Sequence, residues 1–272
     1  MKGVRALIFD VDGTLAETER DGHRLAFNRA FVAAGLDWVW SVELYGQLLE
    51  IAGGKERIAH YMQHYQPDFV PEIDRTEFIA GLHQSKSRFY QQLLQGGEIK
   101  LRPGVRRLIQ EARESGVRLA IATTSSLENV IPLLETALEP DSPSWFDVIA
   151  AGDIVPRKKP APDIYQYVLE TLALAPEDCL VLEDSQQGLR AAVAAGLQTV
   201  VTCNDYTRDH DLTSAQLVVD CLGDVDNPFQ VLQGDLPEKS PNAKFFDLAL
   251  ANSFVNASDN SLESPLETTL AA

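Results

Sequence analysis

A short apolar run that ends at two closely spaced carboxylates constrains this chain more than any other feature. Residues 4–9 read Val-Arg-Ala-Leu-Ile-Phe and lead directly into Asp10-Val-Asp-Gly-Thr14. Side chains alternate along a strand, so Asp10 and Asp12 would point the same way, and Gly13 permits a sharp turn after them. Two facing carboxylates need a cation or a shared proton, and Mg²⁺ suits such a pair together with substrate phosphate. The alternative is an ordinary Asp-Gly turn after a core strand.

Composition and charge limit the class of protein. The 272 residues are 45% hydrophobic, which allows one large domain or a core with a smaller appendage. The net charge of −17 argues against nucleic acid as a partner. No apolar run approaches the roughly 18 residues of a membrane span. We therefore expect a monomer whose partner is a small molecule and which binds no membrane.

The cysteines and the N-terminus bear on location. Cys179, Cys203 and Cys221 fit neither a zinc spacing nor a disulfide framework, which favours a reducing compartment. The first residues lead straight into a strand and have no signal-peptide or transit-peptide layout. The expected location is therefore the cytoplasm, or the plastid stroma if the source is a plant or alga.

The pattern of apolar residues changes twice along the chain. Between residues 20 and 95 apolar residues recur at helical spacing. Beyond Gly97 short apolar runs alternate with helical segments, and the predicted strands are residues 4–10, 117–123, 146–151, 179–182, 199–202 and 217–219. Near-continuous apolar strands of this kind predict an α/β fold, a Rossmann-like parallel sheet with helices on both faces, plus an α-helical cap domain.

These changes also set the predicted domain boundaries. Residues 1–16 and 97–225 form the discontinuous core, and residues 17–96 form a helical cap that leaves the core right after the first strand and acts as a lid. Residues 226–272 form a C-terminal extension whose polar end, Asn252–Ala272, is expected to be poorly ordered.

Several chemistry-bearing residues follow predicted strands, where ligands bind in parallel sheets. Thr123 ends one strand and precedes Thr124-Ser-Ser126 at a helix start, which suits phosphate, although side-chain N-capping by Ser125 or Ser126 is expected as well. Lys159 precedes Pro160 in a proline-rich loop, and the peptide bond between them is a candidate for the cis form. Glu183-Asp184 ends another strand and suits Mg²⁺; its alternative is helix capping by Asp184 or Ser185.

The order of these motifs resembles that of the haloacid dehalogenase superfamily of phosphotransferases over about residues 4–222, with a helical insert similar to its type 1 cap. A closer resemblance is to the CbbY subfamily. It rests on five segments: Phe9-Asp-Val-Asp-Gly-Thr-Leu-Ala-Glu-Thr-Glu19, Gly53-Gly-Lys-Glu-Arg-Ile58, Ala122-Thr-Thr-Ser125, Lys158-Lys-Pro-Ala-Pro-Asp-Ile-Tyr165 and Glu183-Asp-Ser185.

The resemblance implies an activity and a site. The CbbY subfamily removes the C1 phosphate of xylulose-1,5-bisphosphate, and the product is xylulose 5-phosphate. The bisphosphate inhibits Rubisco, the carbon-fixing enzyme of the Calvin cycle. By the same resemblance Asp10 is the nucleophile and Asp12 the general acid and base. Mg²⁺ is held by Asp10, the backbone carbonyl of Asp12, and Asp184, with Glu183 on the metal or on its water. The residues implied to bind the transferring phosphoryl group are Thr123, Thr124 and Lys159, with the backbone N–H groups of Val11 and Thr124.

The cap is expected to select the substrate. The implied substrate-binding residues are Glu17, Gly53, Gly54, Lys55, Glu56, Arg57, Ser125 and Arg157, since their cations suit a second phosphate and Glu17 suits a sugar hydroxyl. Tyr45 is a weaker candidate, with cap packing as the alternative. His23 departs from the subfamily pattern, because Arg20-Asp-Gly-His23 is one residue longer than expected and an extra residue turns a helical side chain by about 100°.

Three other functions fit the same motifs. A sugar phosphomutase similar to β-phosphoglucomutase would share the core and the cap, and a phosphoglycolate phosphatase belongs to the same class. A sugar-phosphate-binding regulatory module is the non-enzymatic alternative. Phosphate release separates the phosphatases from the other two.

Overall fold

The computed structural model describes residues 3–51 and 53–257. Its contacts divide the chain into two compact units. The core unit comprises Met1–Thr14, Pro103–Thr124 and Ser144–Ala272, and the helical unit comprises Leu15–Arg102 and Ser125–Pro143. The predicted boundaries at residues 16 and 97 fall near these limits. Residues 125–143, in contrast, were predicted to belong to the core and are grouped with the helical unit.

The core unit is built on one seven-stranded sheet. Its strands are β1 (Ala6–Phe9), β2 (Arg118–Thr123), β3 (Val148–Ala151), β4 (Cys179–Glu183), β5 (Gln198–Thr202), β6 (Leu217–Val219) and β7 (Val231–Gln233). They lie in the order β3-β2-β1-β4-β5-β6-β7, and all neighbours are parallel except the last pair, which is antiparallel. The six predicted strands are therefore confirmed, with shifts of one or two residues at their ends.

The helices follow the chain order of the two units. They are α1 (Arg24–Ala33), α2 (Val42–Leu48), α3 (Gly54–His64), α4 (Arg75–Gln95), α5 (Val105–Glu114), α6 (Leu127–Ala137), α7 (Asp163–Leu172), α8 (Gln186–Ala194) and α9 (Leu248–Ala257). Helices α5, α7, α8 and α9 belong to the core unit. Among the described residues, no helix combines the length and the apolar character needed to cross a membrane.

Both faces of the central strands are buried. On one face Ala6 and Ile8 join a cluster with the apolar side of α7, including Tyr165 and Val168. On the other face Leu7 is fully buried as well. Side chains of alternating residues point to opposite faces, so burial of both sets explains why the sequence shows apolar runs rather than alternation.

The C-terminal extension contains more structure than predicted. β7 pairs with β6, and α9 spans Leu248–Ala257, so regular structure continues past Asn252, where the poorly ordered end was expected to begin. Arg107 of α5 contacts the chain shortly before each of these elements, because its Nη2 donates to the carbonyl oxygens of Gly223 at 2.8 Å and Phe246 at 2.9 Å. The rest of the predicted tail, residues 258–272, lies outside the described residues.

The helical unit has an aromatic core. Phe31 and Trp40 meet edge to face with ring centroids 5.0 Å apart, and Tyr61 packs against Trp40 at 5.4 Å. Before this core the chain forms a π-helical turn over Thr18–His23. A π-turn accommodates one extra residue in a helix, and this turn includes the stretch before His23 where the sequence predicts an additional residue.

Candidate active site

The carboxyl ends of the central strands bring the predicted carboxylates together. Asp10 follows β1 and donates its backbone N–H to Leu182 of β4 at 3.0 Å, while Glu183 ends β4 and Asp184 follows it. Gly13 has a φ of 83°, and a Cβ there would overlap the Asp184 carboxylate. Glycine is therefore required both by the turn and by the close approach of the first loop to Asp184.

Lys159 supplies the positive charge of this site. Its Nζ donates to Asp10 Oδ1 at 2.7 Å, to Glu183 Oε1 at 2.5 Å and to the carbonyl oxygen of Ala122 at 2.8 Å. The side chain is only 6% exposed. The Lys159–Pro160 peptide bond is cis, which confirms that prediction.

The two cations that directly precede Lys159 in the sequence have other partners. Lys158 pairs with Asp153 at 2.9 Å, and both side chains are largely exposed. Arg157 forms two hydrogen bonds to Asp163, at 2.7 and 3.1 Å, and its side chain is 71% exposed. Its predicted contact to a second phosphate remains a prediction.

Burial controls the electrostatics. Burial raises the pKa of Asp10 well above its ordinary value, and Glu183 and Asp184 add to the rise while Lys159 opposes it. Burial alone would lower the pKa of the Lys159 amine, yet its contacts with Asp10 and Glu183 outweigh burial and raise the pKa. The lysine therefore stays charged, and the carboxylates still need further positive charge in order to ionise together.

Glu183 is saturated with hydrogen-bond donors. Besides Lys159, its Oε1 accepts from the hydroxyl of Tyr165 at 2.6 Å. Its Oε2 accepts from the backbone N–H of Asp184 at 3.1 Å and from the Ser185 hydroxyl at 3.4 Å. A Cβ at Gly188 would overlap this carboxylate. Glu183 is thus held in one orientation, in which it holds Lys159.

The acidic side chains can hold a metal ion. Asp10, Glu183 and Asp184 are all buried, and each offers a carboxylate oxygen within 4.8 Å of the others. Carboxylate oxygens are the ligands that hard divalent cations prefer, so the group fits Mg²⁺. Asp10 and Asp184 are the expected ligands, because the oxygens of Glu183 already accept four hydrogen bonds. Asp12 is half-buried in the loop after Asp10.

The predicted capping residues behave differently from one another. Ser185 caps α8 and accepts the backbone N–H of Gly188 at 3.2 Å, as predicted for one of two candidates. Ser126 is the N-cap residue of α6, but its side chain makes no capping bond, so that expectation is wrong for Ser126. Thr123 is buried at the end of β2, and Thr124 after it is exposed.

Five of the predicted substrate residues, Gly53 to Arg57, lie at the start of α3. Gly53 has a φ of 91° and precedes α3, while Lys55 and Glu56 are exposed. Arg57 binds α2 within the helical unit: its Nε donates to the Leu48 carbonyl oxygen at 2.9 Å and its Nη1 donates to the Tyr45 hydroxyl at 3.2 Å.

Two further residues of that unit have firm partners. Tyr45 is fully buried and donates its hydroxyl to Glu19 at 2.6 Å, which agrees with the packing alternative. Glu17 is ion-paired to Arg102 at 3.0 Å, and both side chains are mostly buried. Their roles toward substrate, like that of Ser125, remain predictions.

His23 belongs to a small cluster that the sequence did not reveal. Its ring stacks on Tyr90 with centroids 3.8 Å apart, and Nδ1 lies 2.8 Å from Lys86 Nζ. Burial first, and then the charge of Lys86, lower the pKa of His23 well below its ordinary value. The imidazole is therefore neutral and accepts from the lysine through Nδ1.

Comparisons with known proteins agree with this fold. A family model described as haloacid dehalogenase-like hydrolase matches residues 4–196. Protein CbbY of Cereibacter sphaeroides is 46% identical over 222 residues, covering 82% of this chain and 94% of that protein. A CBBY-like protein of Arabidopsis thaliana is 44% identical, covering 80% of this chain and 69% of that protein.

Solved structures include a CbbY variant from Rhodobacter sphaeroides in complex with xylulose-(1,5)bisphosphate. It is 44% identical with a TM-score of 0.65, covering 82% of this chain and 98% of that chain.

Fold and site define an α/β hydrolase whose buried carboxylates and lysine meet at the carboxyl edge of a parallel sheet. The chain belongs to the haloacid dehalogenase-like hydrolase family. The prediction of a phosphatase enzyme with close CbbY homologues is confirmed.

Proposed function

We propose that this phosphatase is Mg²⁺-dependent and hydrolyses xylulose-1,5-bisphosphate to xylulose 5-phosphate, which relieves inhibition of Rubisco. The observation that carries the catalytic part is the buried contact of Lys159 with Asp10 beside Asp184. The choice of substrate is supported by the relative solved with xylulose-(1,5)bisphosphate. Local cations offset the repulsion that a chain of net charge −17 exerts on a bisphosphate.

The first chemical step transfers the phosphoryl group to the enzyme. A carboxylate oxygen of Asp10 attacks phosphorus, the bond between phosphorus and the C1 oxygen breaks, and Asp12 gives a proton to the leaving oxygen. Xylulose 5-phosphate is released, and Asp10 carries the phosphoryl group. Lys159, fixed by Glu183, stabilises negative charge on the transferring group together with Thr123 and the N–H groups of Val11 and Thr124.

The second step returns the enzyme to its starting state. Asp12 takes a proton from a water molecule, the water attacks phosphorus, and the bond to Asp10 breaks to release inorganic phosphate. Asp10, Asp184 and the backbone carbonyl of Asp12 would hold Mg²⁺, which supplies positive charge to the phosphoryl oxygens. Glu183 contributes by orienting Lys159, since its oxygens already accept four hydrogen bonds.

The test is phosphate release from a panel of substrates. Purified protein with Mg²⁺ is given xylulose-1,5-bisphosphate, ribulose-1,5-bisphosphate, glucose 1-phosphate or phosphoglycolate, with Asp10→Asn as the control. Release from xylulose-1,5-bisphosphate that requires Mg²⁺ and is lost in Asp10→Asn supports the proposal. Efficient release only from another compound refutes the substrate. Conversion of glucose 1-phosphate to glucose 6-phosphate without phosphate release would indicate a mutase instead.

A further inference from the structure

Asn204 lies in the loop after β5 and is tied to the candidate metal site, although no sequence motif pointed to it. The residue is buried, and its Nδ2 donates to Asp184 Oδ2 at 2.7 Å. Its Oδ1 accepts the backbone N–H of Tyr206 at 2.9 Å, and its own backbone N–H donates to Thr207 Oγ1 at 3.0 Å. Because Oδ1 faces a backbone donor, the amide can present only its NH₂ group to Asp184.

These contacts limit how Asp184 can turn. One carboxylate oxygen of Asp184 accepts the hydrogen bond from Asn204. The loop after β1 packs closely against the same pair, because a Cβ at Gly13 would lie 2.6 Å from Asn204 Nδ2 and would overlap Asp184. The other oxygen of Asp184 is then directed by the protein rather than by the ion. A partner behind a ligand, which fixes the ligand's orientation, typically changes metal affinity by about 10–100-fold when it is removed.

Rigid ligands distinguish Mg²⁺ from Ca²⁺. Mg²⁺ requires nearly ideal octahedral geometry with short bonds, whereas Ca²⁺ accepts irregular geometry and longer bonds. Freedom of the Asp184 carboxylate to turn should therefore weaken the binding of Mg²⁺ more than the binding of Ca²⁺.

We propose that Asn204 is a positioning residue that holds Asp184 so that the site selects Mg²⁺ over Ca²⁺. This inference rests on the proposed function, since it requires Asp184 to bind the metal. It adds a determinant of metal selectivity outside the motifs at the strand ends of β1, β2 and β4.

The test measures direct binding of both ions by calorimetry to wild type, Asn204→Ala and Asn227→Ala. Asn227 is an exposed asparagine of the same unit, so its substitution removes an equal side chain away from the site. We expect the dissociation constant for Mg²⁺ to rise about tenfold or more in Asn204→Ala, in line with other residues that orient a metal ligand, and that for Ca²⁺ to change much less. Asn227→Ala should match wild type for both ions.

The outcomes separate this inference from the proposed function. Unchanged Mg²⁺ binding in Asn204→Ala, or equal losses of both ions, would overturn the positioning role while wild type still releases phosphate. A wild type that neither binds Mg²⁺ nor releases phosphate would overturn the proposed function itself. If Asn204→Ala fails to fold, Asn204→Asp keeps the shape and the bond from Tyr206 but loses the NH₂ donor. A Mg²⁺-to-Ca²⁺ preference equal to wild type in that variant would refute the inference.

Discussion

Replacing Lys159 with methionine tests how the buried charges are balanced. Methionine keeps most of the apolar stem but loses three hydrogen bonds, to Asp10, Glu183 and the Ala122 carbonyl oxygen. Removing one partner of a buried ion pair typically costs about 3–5 kcal/mol, because the other charge stays buried. At about 2–4 °C per kcal/mol for a protein of this size, the Tm of the metal-free protein should fall by about 6–20 °C.

The neighbouring lysine provides a matched control. Lys158 pairs with Asp153 at 2.9 Å, but the two side chains are 51% and 91% exposed. An exposed pair contributes about 0–1 kcal/mol, so Lys158→Met should unfold close to wild type. Chemical and thermal unfolding followed by circular dichroism, without divalent ions, compares the three proteins.

The loss of stability in Lys159→Met should depend on pH. Burial raises the pKa of Asp10 above its value in the unfolded chain, and removal of Lys159 raises it further. A group with a raised folded pKa favours folding at low pH, and this contribution disappears as the pH rises through that pKa. The stability gap between Lys159→Met and wild type should therefore be smaller at pH 5 than at pH 8. Equal unfolding of Lys159→Met and Lys158→Met at pH 8 would refute the reasoning.

Four more substitutions, one of them a control, test individual residues. Tyr165→Phe removes only the hydroxyl that donates to Glu183, and should cost about 1.5–3 kcal/mol in unfolding free energy and lower kcat more than it changes KM. Gly188→Ala should lower Tm and activity because the new Cβ overlaps Glu183, whereas Gly81→Ala, with open space in α4, should stabilise by about 0.5–1 kcal/mol. Lys55→Met should raise KM for the bisphosphate and leave KM for phosphoglycolate unchanged; equal changes for both substrates would argue against contact with a second phosphate.

The residues of the candidate site were predictable from their place in the sequence pattern. Asp10 and Asp184 follow apolar strands, and Lys159 lies in a proline-rich loop after a third strand. Their chemistry and their place at one edge of a parallel sheet are therefore visible in the sequence. The structure shows them in one buried cluster, as expected. Their individual roles in the reaction remain predictions.

The residues that support this cluster were hidden from sequence reasoning. Tyr165 ends a segment that carries the family resemblance but had no predicted role, and Asn204 belongs to no motif. Only three-dimensional contact links them to Glu183 and Asp184. The position of His23 depended on a π-turn, which no spacing rule anticipates. Likewise, β7 is exposed along its whole length, so it lacks the buried apolar run by which the equally short β6 was predicted.

The central claim is that Asp10 carries the phosphoryl group during turnover. Xylulose-1,5-bisphosphate labelled at the C1 phosphate is mixed with enzyme and Mg²⁺, quenched in acid within the first turnover, and the labelled peptide is mapped by mass spectrometry. The account predicts label on Asp10 in wild type and none on Asp10→Asn. Product formed in that first turnover without label on the protein, or label on another residue, would contradict it.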